Sequence, residues 1–271
     1  MLNTNRTIAD FTLFKGIGNL PYTNVIVFVP RGICDSKKWE LLSNSDDIRN
    51  LPRTYLDTPT KMTIASESND DNFNGIGAQA VIAAGLNENY ELYTEFLALD
   101  GQNPVSTQGD YIRFLEMLVF SIGSNTDPDT GDKIQVGNIW CGLGPWVNGV
   151  PNHKLLGIGE GTFYNDPDSR EGIFTIPTDV LGVIRSLKVT VNSEVTAVNR
   201  RNGVIIQFAV RPPGFDFFFK FTPFFVQDQF DIIPEISPIP SRSDIQFRVL
   251  GFDNKEKNVT VETGIELIKV E

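Results

Sequence analysis

Any serine or cysteine triad in this chain would have to use His153, its single histidine. The other members do not assemble around it. No Gly-x-Ser-x-Gly turn presents a serine, and Cys34 and Cys141 sit in no recognisable nucleophile context. One histidine and two distant cysteines also fall short of the four ligands of a zinc site. Gly157-Ile158-Gly159-Glu160-Gly161 has the glycine spacing of a phosphate cradle, but no Lys-Ser/Thr follows, and Glu160 would oppose a phosphate. A turn is the better reading. Asn125, Asp127, Asp129 and Asp132 bunch hard oxygen ligands around Gly131, the chemistry calcium prefers. Their spacing is not that of an EF-hand and no bidentate Glu follows. Asp127, Asp129 and Asp132 therefore stand as weak calcium candidates against an acidic, solvated hairpin tip. Paired carboxylates for glycoside cleavage arise by accident among 34 acids, and the long repeats usual in sugar-degrading tailspikes are absent. The expectation is a chain with no catalytic residue and no cofactor.

Binding is the better use of what remains. Residues 137–161 hold seven glycines together with Trp140, Trp146 and His153, and read as a long irregular loop. Trp140, Trp146 and Tyr164 could offer stacking faces to a sugar, but packing of these rings on the edge of the fold is the better reading. Residues 215–230 hold eight of the 20 phenylalanines. In an extended strand Phe217, Phe219 and Phe221 share one face, which leaves Phe218 and the Phe224-Phe225 pair for another. A strand apolar on both faces implies burial against a second layer or a subunit. We take Phe217, Phe218, Phe219, Phe224 and Phe225 as an interface, with cover by the N-terminal part of the same chain as the alternative.

The elements that position these residues follow from period-two patterning. Val259, Val261, Ile265 and Leu267 alternate with Thr260, Glu262 and Glu266. Three further stripes are Ile245, Phe247 and Val249; Val204, Ile206, Phe208 and Val210; and Leu187, Val189 and Val191. Each predicts a strand with one dry face. Asn202-Gly203 and Asp100-Gly101 supply hairpin chemistry, and Gly251-Phe252-Asp253-Asn254 divides the last two strands. Residues 110–123 have the length of a helix but alternate at Ile112, Phe114, Leu118, Phe120 and Ile122, and we read a strand. Residues 233–241, with three prolines, predict extended backbone without ladder pairing. Strands at short intervals with turns between them argue for an all-β sandwich or barrel. The boundaries expected are an N-terminal arm over 1–58, holding one apolar strand at Val25–Val29, and a sandwich over 59–271.

Charge and composition bound the partners. The net charge is −11 and the sequence pI near 4.6, so general binding to nucleic acid or an anionic membrane is disfavoured. The short basic clusters Lys37-Lys38 and Arg200-Arg201 read as solvated loop charge. Phe215–Phe225 is broken by Asp216, Lys220 and Pro223 and cannot span a bilayer. Two distant cysteines make no disulfide framework, and free buried thiols are expected. With no apolar signal core at residues 1–6, a cytoplasm-like site of synthesis is the expectation.

Several phrases occur in a particular order. They are Gly75-Ile76-Gly77-Ala78-Gln79-Ala80-Val81, Gly85-Leu86-Asn87-Glu88-Asn89-Tyr90, Leu99-Asp100-Gly101 with Pro104-Val105-Ser106-Thr107, and Tyr111-Ile112-Arg113 leading to Gly123-Ser124. Phe174-Thr175-Ile176-Pro177, Arg211-Pro212-Pro213-Gly214 and Ile239-Pro240-Ser241-Arg242-Ser243-Asp244-Ile245 follow. In that order they resemble an uncharacterised family of tailed-phage and marine-virus virion structural proteins, over residues 60–271. Where the family has a Pro-Ala-Gly turn, this chain has Pro177-Thr178-Asp179. The resemblance implies a jelly-roll-like β-sandwich that decorates or joins parts of a particle, and it carries no catalytic residues. The role expected is a capsid decoration or cement protein on the outer face of a phage head, self-associating and contacting the major capsid protein. The alternative is a receptor- or glycan-binding module of a tail or head fibre.

Overall fold

The computed structural model describes residues 23–28, 31–34, 40–41, 55–158, 173–192, 203–216, 218–221, 223–227, 229–232, 238–252 and 257–270. These residues are all-β, in antiparallel sheets without a helix. The chain divides into two compact units. Unit one takes residues 1–43 and 170–271, and unit two takes 44–169. The division expected at residue 58 is therefore displaced, and 59–271 is not one sandwich.

Unit one is built from β1 (Thr23–Phe28), β2 (Arg31–Cys34), β3 (Glu40–Leu41), β11 (Ile173–Thr175), β12 (Val180–Asn192), β13 (Val204–Arg211), β14 (Phe219–Lys220), β15 (Phe224–Val226), β16 (Gln229–Ile232), β17 (Asp244–Gly251) and β18 (Lys257–Lys269). One sheet runs β1-β18-β12-β16, with β2 continuing β1 along β18 in the same register (Phe28 opposite Thr263, Arg31 opposite Thr260). The other runs β11-β17-β13-β14, with β3 also on β17 and β15 also on β13. The four hydrophobic stripes read from the sequence all enter one core. Ile184, Leu187, Val189, Val191, Val259, Val261, Ile265 and Leu267 come from the first sheet. Val204, Ile206, Phe208, Val210, Ile245, Phe247 and Val249 come from the second. Each such side chain, fully buried, stabilises the fold by about 1.5–3 kcal/mol relative to exposure.

Taken along the chain, these strands occupy eight positions: β1/β2, β3/β11, β12, β13, β14/β15, β16, β17 and β18. The first pairs with the eighth, the second with the seventh, the third with the sixth and the fourth with the fifth. The third also pairs with the eighth, and the fourth with the seventh. The second position is split. Leu41 of β3 lies opposite Arg248, and Ile173 of β11 lies opposite Gln246, so a single position, opposite Phe247, separates the two halves on β17. All of unit two is inserted at that point.

Unit two comprises β4 (Thr63–Ser66), β5 (Ala78–Leu86), β6 (Leu92–Ala98), β7 (Val105–Ser106), β8 (Arg113–Ile122), β9 (Ile139–Val147) and β10 (Val150–Ile158). Its sheets run β10-β9-β4-β7 and β6-β5-β8. Ile64, Ile139, Cys141 and Leu156 of the first meet Val81, Ala83, Phe114, Met117 and Val119 of the second in one core. The ambiguous segment 110–123 is a strand, β8.

Two expectations are corrected. Most of residues 137–161 are not an irregular loop, because β9 and β10 form a hairpin over 139–158. Asn148 and Gly149 both adopt positive φ (50° and 77°), the two-residue turn that suits antiparallel strands. A Cβ on Gly149 would overlap the carbonyl of Ser66, so only glycine fits there. Ile239, inside the proline-rich stretch, does pair. It exchanges both backbone hydrogen bonds with Gly182, at 2.7 and 2.8 Å, since a residue between two prolines keeps its own N–H.

Replacing residues 42–172 by a single residue should rejoin β3 and β11 into one strand. The shortened protein is expected to give a β-sheet circular dichroism spectrum and one cooperative thermal transition; an unfolded product would show that the insertion is not a guest in a complete host.

Candidate functional site

The phenylalanine-rich segment forms the outer edge of the second sheet of unit one. Asp244, Gln246, Arg248 and Leu250 alternate with the core residues of β17 and so point away from the core. The outer face changes character along its length. At one end Thr175, Asp244 and Arg211 stand in register across three strands. Thr175 Oγ1 donates to Asp244 Oδ1 at 2.7 Å, and Arg211 Nε and Nη2 donate to Oδ2 at 3.0 and 2.5 Å. The Asp244 carboxylate is buried but fully engaged, which is what allows it to be there. Midway, Arg248 is half-withdrawn from water, and that burial lowers its pKa. At the far end Leu250, Ile205 and Phe225 form an apolar row in register.

The interface residues read from the sequence divide along this edge. Phe219 and Phe225 are exposed. Phe225 lies on the outer face, against Phe252 (centroids 5.4 Å apart) and over Gly203. Phe224 turns inward instead, half-buried on the core and stacked on Phe230 at 5.1 Å. Phe218 is half-buried with its ring facing the Arg211 guanidinium at 5.7 Å. Phe217 lies outside the described residues. Three further rings here are exposed: Phe215, Phe221 and Phe252. The breakers around the first two, Pro213-Gly214 and Pro223, carried the signal, since a proline within a strand confines it to an edge.

Of the second candidate surface, Trp140 and Trp146 are both engaged within unit two. Trp140 is only 3% exposed. Its Nε1 donates to Glu67 Oε1 at 2.7 Å, Lys154 Nζ sits 4.1 Å over the ring, and the ring covers Gly157. It is a packing residue, as the packing reading of these rings expects, and offers no stacking face. Trp146 is half-buried and donates from Nε1 to Thr63 Oγ1 at 2.9 Å. Tyr164 lies outside the described residues. His153 is exposed on β10, opposite Leu143.

The acidic segment is a hydrogen-bonded turn. Asp127 Oδ1 accepts from the backbone N–H of Asp129 (2.8 Å) and of Thr130 (2.9 Å), and the Thr130 and Asp129 hydrogen bonds hold its pKa below the ordinary carboxylate value. Gly131 takes positive φ, 74°, and its N–H closes the turn on the Asp127 carbonyl. Among the described residues no three His, Cys, Asp or Glu side chains gather to hold a metal, so the calcium candidates Asp127, Asp129 and Asp132 are not brought together as ligands.

One polar group missed in the sequence organises unit two. Asp71 is fully buried. It accepts from Ser66 Oγ (2.6 Å), Ala78 N (2.6 Å), Val136 N (3.0 Å) and Gly137 N (2.8 Å), stapling the loops before β5 and β9. Tyr111, also buried, donates to Glu95 at 2.9 Å; burial first and that acid second push its pKa far up. The outer face of β6-β5-β8 carries a second aromatic pair, Phe96 and Phe120, in edge contact at 5.0 Å. Its signal was the uncharged run AQAVIAAGL of β5, apolar on both faces.

No protein-family model matches the chain, and no curated protein matches it. The functional reading rests on the fold and the surfaces described above.

Two outcomes follow. Trp140→Ala should lower stability by about 3–5 kcal/mol, the usual cost of deleting a buried indole, and Trp146→Ala by about 1 kcal/mol, read by chemical denaturation. Because the folded-state pKa of Asp127 is depressed, its contribution to the turn is present above the unfolded value and is lost as pH falls through the folded one. The amide resonances of Asp129 and Thr130 should therefore shift together only below the usual carboxylate range.

Proposed function

We propose that this chain is a non-enzymatic structural protein of a virus particle, acting as a decoration or cement protein on the outer face of a phage head. It self-associates and contacts the major capsid protein. The observation that carries the reading is the strand order of unit one, eight positions paired one with eight, two with seven, three with six and four with five. Nested pairing of this kind, rolled into two four-position sheets, is the order of a jelly roll, an architecture used by viral capsid and lectin domains. The virion resemblance carried by the ordered phrases between Gly75 and Ile245 points the same way. Fold analogy supplies the step from architecture to role, and residue chemistry supplies the contact surface. An acidic chain is suited to the outer wall and poorly suited to lie against packaged DNA.

The lectin use of jelly rolls keeps a glycan-binding module as the second reading. Among the described residues Trp146, half-buried and on the same hairpin as the exposed His153, is the ring left to support it. Glycan-array binding lost in Trp146→Ala would favour that module.

Gold-labelled antibody imaging of intact particles tests the first reading directly. Label spread evenly over heads is the expected outcome. Label on one vertex or the tail supports the binding module, and protein found only free in infected cells overturns the virion assignment.

A further inference from the structure

In unit two, β6 (Leu92–Ala98) is an edge strand with an open side. It pairs only with β5, in an unbroken register from Ala80 opposite Ala98 to Leu86 opposite Leu92. The bonds from Leu99 N to Gln79 O (3.0 Å) and from Asn87 N to Glu91 O (2.9 Å) set the alternation of that ladder at its two ends. Tyr93, Glu95 and Leu97 therefore commit their backbone N–H and C=O groups to β5, while Leu92, Thr94, Phe96 and Ala98 aim theirs away from it. Among the described residues no other backbone hydrogen bond reaches those four. Thr94, Phe96 and Ala98 are also exposed.

The other edges of unit two carry the usual guards. β10 holds Pro151 and Lys154 and shifts register against β9 twice, β8 shifts register against β5 at three points, and β7 is two residues long beside Pro104. Each device discourages the addition of a further strand. β6 has no proline, no lysine and no bulge. Its one charge, Glu95, turns inward, where Tyr111 Oη and the Gln108 N–H donate to its two oxygens. On the outer face Phe96 meets Phe120, with centroids 5.0 Å apart, and shares a row with Ile82 and Leu118 across the three strands. An added strand gains a backbone ladder here, with an apolar lip for its alternate side chains.

Charge selects the occupant. Residues 87–112 include Glu88, Glu91, Glu95, Asp100 and Asp110 and no Lys, Arg or His. Glu91 and Asp100, both exposed, bracket the open edge. A second copy laid antiparallel over the same strand would bring Glu91 of each copy close to Asp100 of the other and set Glu95 against Glu95 at the axis. Like charges so placed are destabilising, whereas a segment with basic ends meets the opposite sign at each end. We propose that β6 takes up an extended segment of another protein as an added strand, apolar at alternate positions and carrying Lys or Arg at both ends. The contact goes beyond the virion role and does not rest on it.

Fluorescence anisotropy on the purified full-length chain tests it, using labelled peptides that alternate valine with threonine and end in lysine or, as controls, in glutamate. At low salt the lysine-ended peptides are expected to bind about tenfold more tightly than the glutamate-ended ones, and to slow hydrogen exchange over residues 92–98. Thr94→Pro removes an outward N–H without touching the ladder to β5, and Phe96→Lys puts a cation on the open edge. Thermal melts confirm that each variant is folded, and each should weaken binding by about tenfold. Peptides that do not bind, ends of either sign that bind alike, or binding unchanged in the folded variants overturns the proposal. Exchange over 92–98 that is already slow in the chain alone, and slower at higher concentration, places a second copy on this edge and overturns it too. Absence of the chain from particles removes the virion role alone; a chain found on heads whose β6 binds no peptide removes this contact alone.

Discussion

The ladder between β12 and β18 is the interaction on which unit one depends. Both strands are 13 residues long, and they pair from Val180 opposite Lys269 to Asn192 opposite Asn258. Their inward residues form the floor of the core. Their outward residues, among them the ion-paired Arg185 and Glu266 with Lys188 and Glu262, face water. The register slips once, between Ile184 and Ser186, and Gly264 stands opposite Ser186, where a side chain would crowd the serine hydroxyl. A bulge there increases local twist. Every other strand of that sheet attaches to one of these two, so the closure of the sandwich is fixed once they have met.

The host fold was legible in the sequence to the extent that its strands are long. The stripes at Leu187–Val191, Val204–Val210, Ile245–Val249 and Val259–Leu267 all gave strands with the right dry face, because sustained alternation leaves one solution for burial. That these four stripes share one core, and that Val81, Phe114 and Ile139 belong to another, was not legible. Periodicity assigns a residue to a face and says nothing about which layer that face meets. The insertion point was hidden for a related reason: β3 is two residues long and carries no pattern at all.

The candidate site was legible in composition more than in geometry. The density of phenylalanine between 215 and 230 singled out this segment, yet only the backbone register separates Phe225, which faces out, from Phe224, which faces in. Glycine content misled at 137–161. Gly142 and Gly157 are strand residues that admit the rings and backbone packed against them, and Asn148-Gly149 carries the turn. Asp71 could not be found by pattern, since a buried acid is recognised by donors that arrive from 65 residues away as well as from its own loop.

The split second strand has a consequence for the order in which the chain acquires structure. Unit two is one uninterrupted stretch, so during synthesis all its partners emerge together and it is free to fold while later residues are still being made. Unit one has no such freedom. β1 finds its partner only when Ile265 and its neighbours appear, some 240 residues later, and β3 must likewise wait for Arg248. The earliest strands of the host therefore stay unpaired throughout most of translation, with the guest already folded between them and β11. Native pairings this distant in sequence make for slow folding and a prolonged risk of wrong association. The short, proline-broken edges of the host sheets limit what those waiting strands can wrongly join.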